Sequence, residues 1–179
     1  MKLNIGCGKR NFGKDWIHID GSNYDHINYH DITKLVFKDN TVDLIYASHL
    51  FEYFDREESK NILKEWRRVL KPGGILRLAV PDFEICSKMY NDNKYDLDTF
   101  VSMFYGKWQI NEEKIVYHKT IYDFKSLKKL LENNNFKDIR YWDWKTTCHS
   151  NYDDYSQAYL PHMDKENGIL ISLNIECNK

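Results

Sequence analysis

The stretch "LNIGCGKRNFGKDWIHID", residues 3–20, decides the fold. Leu3 to Ile5 is a short apolar run that turn residues stop at once, and Trp16 to Ile19 alternates as a half-buried strand does. Two strands joined by a glycine turn, the second ending in an acid, begin a nucleotide-binding pattern. A dinucleotide fingerprint would continue as G-x-G-x-x-G, with its acid about 20 residues further on. Here Asn11 holds the third glycine position, and Asp20 follows Gly8 by only 12 positions. No G-K-[ST] stands at the spacing of a phosphate-binding P-loop. The turn therefore suits a ligand lying close to the backbone but serves a pyrophosphate poorly. A strand-final carboxylate can still accept hydrogen bonds from vicinal hydroxyls, as ribose presents them. A plain strand-to-helix turn with a surface aspartate would use the same residues.

Outward from this stretch, Val42 to Ala47 alternates as a strand, and "FDREESKNILKEWRRVLKPGG" (54–74) reads as a helix. Asp55 with Glu58 predicts a capping box, Ile62, Leu63, Trp66, Val69 and Leu70 a buried stripe, and Pro72-Gly73-Gly74 an end. Ile75 to Val80 is the next strand. Residues 83 to 105 read as broken helix, and Asp123 caps a helix with Phe124, Leu127, Leu130 and Leu131 on one face. Phe136 to Trp144 and Ile169 to Cys177 read as strands, separated by the polar and aromatic "TTCHSNYDDYSQAYLPHMDKENG" (146–168). Strands alternating with helices imply an α/β fold, a parallel sheet covered on both faces, with the last pair adding an antiparallel edge.

The chain has 179 residues, 42% of them hydrophobic, enough for one core and a single domain over 1–179. Lys and Arg (26) balance Asp and Glu (27), so no basic field draws it to nucleic acid or anionic membranes. No apolar run approaches the ~20 residues that span a bilayer, and no secretory leader is read at the N-terminus. Four widely spaced cysteines without a C-x-x-C pair predict reduced thiols and a cytoplasmic protein. His18, Asp20, His26, His30 and Asp31 cluster in sequence with metal-binding residue types. No H-E-x-x-H or similar spacing accompanies them, and no metal site is assigned.

The order of motifs resembles the class I S-adenosylmethionine-dependent methyltransferases, in particular the compact methyltransferase-11-type branch. "LNIGCG" (3–8), "WIHID" (16–20), "YHDITKLVFKDNTVDLIYASHLFEYF" (29–54), "EWRRVLKPGGILRLAVPD" (65–82) and "HKTIYDFKSLKKLL" (118–131) carry the resemblance. It implies a Rossmann-like, mostly parallel seven-stranded sheet with helices on both faces and an antiparallel edge strand. It also implies S-adenosylmethionine as cofactor, S-adenosylhomocysteine as product, and O- or N-methylation of a small-molecule acceptor. Asn4, Gly6, Cys7 and Gly8 would then lie along the amino-acid end and ribose of the cofactor. Asp20 would bind the ribose hydroxyls, Asp31 and the amide of Ile32 the adenine edge, and Ser48 the methionine side.

Three departures from the family shape the expectations. Asn4 stands where relatives usually carry an acid. Only Lys9 to Asp15 separate the first two strands, fewer than a helical crossover takes, so a turn is expected there. Met1 all but begins the first strand, so cover for the site is expected from residues 83–122 and 146–168. Methyl transfer to a hydroxyl needs a base, and His49, after a strand, and His118, before a late helix, are the candidates. Tyr155 and Tyr159 are expected to form an acceptor wall, the alternative being an outward loop or a homodimer surface. Two other functions compete. Tyr90 and Lys94 form a Y-x-x-x-K pair of the kind a nicotinamide-dependent oxidoreductase uses, though "YNDNK" disfavours the helix that would align them. A non-catalytic module binding a cofactor or a partner chain is the third reading.

Overall fold

In the computed structural model, which describes residues 1–179, a six-stranded sheet forms the frame. Its strands are β1 (Lys2–Ile5), β2 (Ile17–Ile19), β3 (Val42–Ser48), β4 (Leu70–Pro81), β7 (Lys137–Tyr141) and β10 (Ser172–Asn178), in the order β2-β1-β3-β4-β10-β7. β1 pairs in parallel with both β2 and β3, and β3 in parallel with β4. β10 is antiparallel to both of its neighbours. The antiparallel strand is thus interior, and β7, expected within an antiparallel edge pair, forms the edge in parallel sense with β4. The seventh strand is reduced to one parallel bridge, Ile19 to Tyr29, outside β2. Polar turn residues on either side of Tyr29 give the chain no longer run to pair there.

α1 (Arg56–Val69) forms because its start is satisfied and one face is apolar. The Asp55 carboxylate accepts from the Glu57 and Glu58 amides, and Glu58 accepts in return from the Asp55 amide. Ile62, Leu63, Trp66 and Val69 bury the predicted stripe against the sheet. Burying each such side chain contributes roughly 1.5–3 kcal/mol. Leu70 leaves the helix in extended conformation two residues before Pro72, whose ring disfavours helix in what precedes it. β4 therefore starts at Leu70, earlier than Ile75, and a register shift against β3 absorbs the Pro-Gly-Gly segment.

α4 (Phe124–Asn133) packs on the same sheet face as α1, burying Leu127 and Leu131, with Asp123 as its cap. The opposite face lacks such helices, contrary to the expectation of helices on both. The strands turn polar residues to that side: His18, Arg77, Asn174 and Glu176. Phe12, Trp16, Trp142 and His149 cover them with aromatic rings. Arg77 donates to Glu176 (Nη2···Oε2, 2.7 Å) and lies over the Trp142 ring, while Arg140 pairs with the other Glu176 oxygen. A polar strand face satisfied in this way presents no apolar seat for an amphipathic helix. The connection from β1 to β2 is a turn, as its length requires.

The remaining elements gather at the carboxyl ends of the parallel strands. α2 (Phe83–Asn91) and α3 (Leu97–Phe104) pack around Cys86, Met89, Phe100 and Ile171. A hairpin of β5 (Lys107–Gln109) and β6 (Ile115–Tyr117) follows, and β8 (Tyr159–Leu160) pairs with β9 (Ile169–Leu170).

Candidate functional site

Strand order reverses at β1, whose neighbours β2 and β3 leave in opposite directions, and open α/β sheets bind ligands at the carboxyl end of such a point. A cavity of about 870 Å³ lies there. Gly6, Gly8 and Asp20 form one wall, and Ser48, His49 and His118 another. Both segments expected to give cover line it: Trp108 and Ile110 from the hairpin, Tyr155, Tyr159 and His162 from the later loop.

The glycine turn is held by its own aspartate. Asp20 Oδ2 accepts from the Gly8 amide at 2.8 Å, and Oδ1 accepts from the Ser22 amide (2.8 Å) and hydroxyl (2.6 Å). A carboxylate has about four acceptor positions, so roughly one remains for a ligand. Gly6 and Gly8 have φ of +72° and +53°, a left-handed conformation that favours glycine. A Cβ on Gly6 would lie 2.7 Å from Leu50, so this glycine also makes room for a neighbouring side chain. Trp108 and Ile110 sit over Gly8 and Gly21, at 3.6 and 3.1 Å from where a Cβ would stand. The hairpin is thus the roof of this end. Sequence reading passed over it, although "KWQI" and "KIVY" around "NEE" carry the alternation of a hairpin.

Three of the expected contacts are not brought to the cavity. Asn4 points to the polar sheet face and Cys7 is buried beside His26 (Sγ···Nε2, 3.8 Å). Asp31 spends its carboxylate on Thr33 and Lys34 at the surface, because an aspartate before a turn bonds the amides two and three residues on. Ile32 does line the cavity, with its carbonyl anchored by the Trp66 indole at 3.2 Å. The histidines near β2 serve the fold. His18 Nε2 accepts from the Phe12 amide at 2.8 Å, His26 donates to the Gly8 carbonyl, and His30 to the Asp20 carbonyl. Tyr90 and Lys94, the pair an oxidoreductase would use, lie outside the cavity wall at the end of α2.

At the other end, His49 and His118 converge on Glu52, which is 1% exposed. His49 Nδ1 lies 3.6 Å and His118 Nε2 3.7 Å from Glu52 Oε1. Burial pushes His49 down to about 3, lowers His118, and pushes Glu52 up to about 8. At neutral pH this is a set of neutral groups and not an ion pair. Tyr155 stands beside His49 (ring centroids 5.3 Å) and under the Arg10 guanidinium at 4.6 Å. Arg10 Nε donates to the Asp153 carbonyl, and the Tyr159 hydroxyl accepts from the Trp144 indole.

Comparison with known proteins accords with this geometry. Residues 3–78 match the family described as a methyltransferase domain. Solved structures of methyltransferases align over 99% of the chain. One from Methanosarcina mazei, an S-adenosylmethionine-dependent methyltransferase, has 20% identity and a TM-score of 0.56, with 91% of that chain covered. One from Mesorhizobium loti, described in the same terms, has 16% identity, a TM-score of 0.54 and 90% coverage. The fold is that of the class I S-adenosylmethionine-dependent methyltransferases, and the matched domain runs from β1 into β4. A third structure, the Burkholderia thailandensis 1,6-didemethyltoxoflavin-N1-methyltransferase with its acceptor and S-adenosylhomocysteine, aligns at 11% identity with a TM-score of 0.54 and 70% of that chain covered. No curated protein matches the sequence. No helix of the chain is long and apolar enough to cross a membrane.

The residues present fit the family's cofactor. The Asp20 carboxylate reaches the wall beside two left-handed glycines, and Ser48 lines the cavity with its buried hydroxyl short of a closed hydrogen bond. A buried hydroxyl left unpaired is costly unless a ligand or water completes it.

Proposed function

We propose that this chain is an S-adenosylmethionine-dependent methyltransferase that methylates a small-molecule acceptor at oxygen or nitrogen, in the cavity between Asp20 and the His49–His118 pair. One observation carries the reading: a single cavity of about 870 Å³ joins the glycine turn to two neutral imidazoles and two tyrosines. That volume is within the range of about 300–1,000 Å³ that small-molecule sites occupy. Gly6, Gly8, Asp20, Ile32 and Ser48 are the residues that would hold the cofactor, with Asn4, Cys7 and Asp31 acting behind or beside them. When bound, S-adenosylmethionine supplies a methyl carbon already activated by its sulfonium.

The protein's own tasks are then to hold the acceptor, exclude water and take a proton. Tyr155 and Tyr159 offer aromatic faces to a flat or cationic acceptor. The hairpin and the 146–168 loop close the cavity, which strengthens every polar contact inside it. His49 and His118 are neutral at pH 7, so each keeps the ring lone pair that a base requires. The toxoflavin precursor of the Burkholderia neighbour is one example of such an acceptor on this fold. The balanced charge of the chain favours a small molecule over nucleic acid, and its four free cysteines favour the cytoplasm. Titration calorimetry with S-adenosylhomocysteine and with NAD tests the assignment. Binding of the first and not the second is expected, and tight NAD binding without S-adenosylhomocysteine binding overturns it.

A further inference from the structure

Glu52 is the least accommodated polar group in the protein. It is 1% exposed and neither carboxyl oxygen has a hydrogen-bond partner. It is not part of the cavity wall, whereas both imidazoles nearest to it are. A lone buried carboxyl of this kind costs stability, so its surroundings bear on function.

The outer nitrogen of each imidazole fixes which tautomer faces Glu52. His118 Nδ1 lies 2.8 Å from the Met103 carbonyl, which can only accept, so Nδ1 carries the hydrogen and Nε2 is bare. His49 Nε2 lies 3.1 Å from Ser172 Oγ. That hydroxyl already donates to Asn174 Oδ1 at 3.0 Å, and Asn174 Nδ2 is committed to the Ser156 carbonyl at 2.8 Å. His49 Nε2 must therefore donate, and His49 Nδ1 is bare. Both nitrogens turned toward Glu52 are acceptors. An ionised carboxylate there would face two lone pairs with no donor between them, whereas a protonated one presents a hydrogen toward them.

The geometry points to Glu52 as the proton store of the site, a positioning residue that acts through His49 and His118 and whose ionisation makes them competent bases. This rests on the reading of the two imidazoles as the groups facing the acceptor. The separations of 3.6 and 3.7 Å exceed a closed hydrogen bond, so neither lone pair is tied to Glu52. In methyl transfer the bond from sulfur to the methyl carbon breaks, a bond from carbon to the acceptor's oxygen or nitrogen forms, and the acceptor's proton is released. With Glu52 ionised, an imidazole takes that proton and the carboxylate offsets its charge. The proton then settles on Glu52, and the imidazole is neutral again.

Arg10, over the Tyr155 ring, is the cation that bears on His49. Tyr53 and Tyr122 face Glu52 as neutral phenols, both held above their ordinary range by burial. The Lys119 and Thr120 amides donate to its main-chain carbonyl, and the Lys119 ammonium is turned away to Glu58. Burial moves Glu52 to about 8, in the direction the tautomers require.

The test is an NMR titration of the ligand-free protein with labelled glutamate carboxyl and histidine ring carbons. One carboxyl should titrate near pH 8 in the wild type, with ring signals of His49 and His118 moving at the same midpoint. Glu52→Gln should remove that carboxyl and flatten the step in both rings, the amide supplying a hydrogen that no longer leaves. A Glu52 carboxyl titrating in the ordinary range overturns the proposal, as do ring steps that persist in Glu52→Gln. The wild-type titration stands alone if the variant does not fold. Loss of S-adenosylhomocysteine binding would leave these spectra unchanged, so this inference and the proposed function fail separately.

Discussion

Replacing Asp20 with asparagine separates the two tasks of that residue. The amide keeps an oxygen for the Ser22 amide and hydroxyl, and it puts an NH₂ where Oδ2 now accepts from the Gly8 amide. One buried N–H is then left unpaired, which costs about 1–3 kcal/mol. In a protein of this length that lowers Tm by roughly 2–12 °C. The same change removes the charged acceptor at the cavity wall, where a hydrogen bond to a charged group is worth about 1.5–3 kcal/mol. Affinity for S-adenosylhomocysteine should fall about tenfold to a hundredfold. Asp20→Ala orphans the Ser22 amide as well and should be the less stable of the two. Calorimetry well below the variant's Tm, beside a thermal melt, reads the two effects independently. Folded Asp20→Asn that binds S-adenosylhomocysteine within about twofold of wild type would refute the ribose role.

Gly6→Ala should destabilise by about 1–3 kcal/mol, through both its φ of +72° and the 2.7 Å approach to Leu50. Urea midpoints of Gly6→Ala, Leu50→Ala and the double variant would show the Leu50 share as non-additivity. Trp108→Ala should weaken S-adenosylhomocysteine binding with little loss of stability, because the hairpin roof is outside the main core; a large drop in Tm with unchanged affinity would contradict this. Stability should also depend on pH from both sides. Glu52, raised from 4.5 to about 8, holds its proton more tightly when folded, so its contribution is present at low pH and lost between about 4.5 and 8. His49, lowered from 6.5 to about 3, contributes above 6.5 and loses that as pH falls toward 3. Urea midpoints should therefore decline on each side of a mildly acidic maximum, and Glu52→Gln should flatten the alkaline side.

Local signals explain what could be read from sequence. Asp55 and Glu58 bond within one turn of helix, and Trp66 recurs at helical spacing with Ile62 and Val69, so α1 was visible without the rest of the chain. Asp20 was visible because the strand and the turn it braces are neighbours. The polar sheet face was not, since Arg77 meets Glu176 across 99 positions and no local pattern announces a strand face satisfied from so far away. Missing helices followed from that. Nothing local marks Glu52, because the histidine that gives it meaning, His118, arrives from beyond three helices and a hairpin. Asp31 misled for the opposite reason: its nearest amides claimed the carboxylate before any ligand.

In the proposed function, one cavity holds the cofactor at the glycine turn and the acceptor at the histidines. A crystal structure with S-adenosylhomocysteine tests it most directly. The adenosine end should lie against Asp20 and Ile32, under Trp108 and Ile110, with the sulfur turned toward His49 and His118 and Tyr155 across from it. A ligand bound outside this cavity, or a sulfur facing away from both histidines, would contradict it.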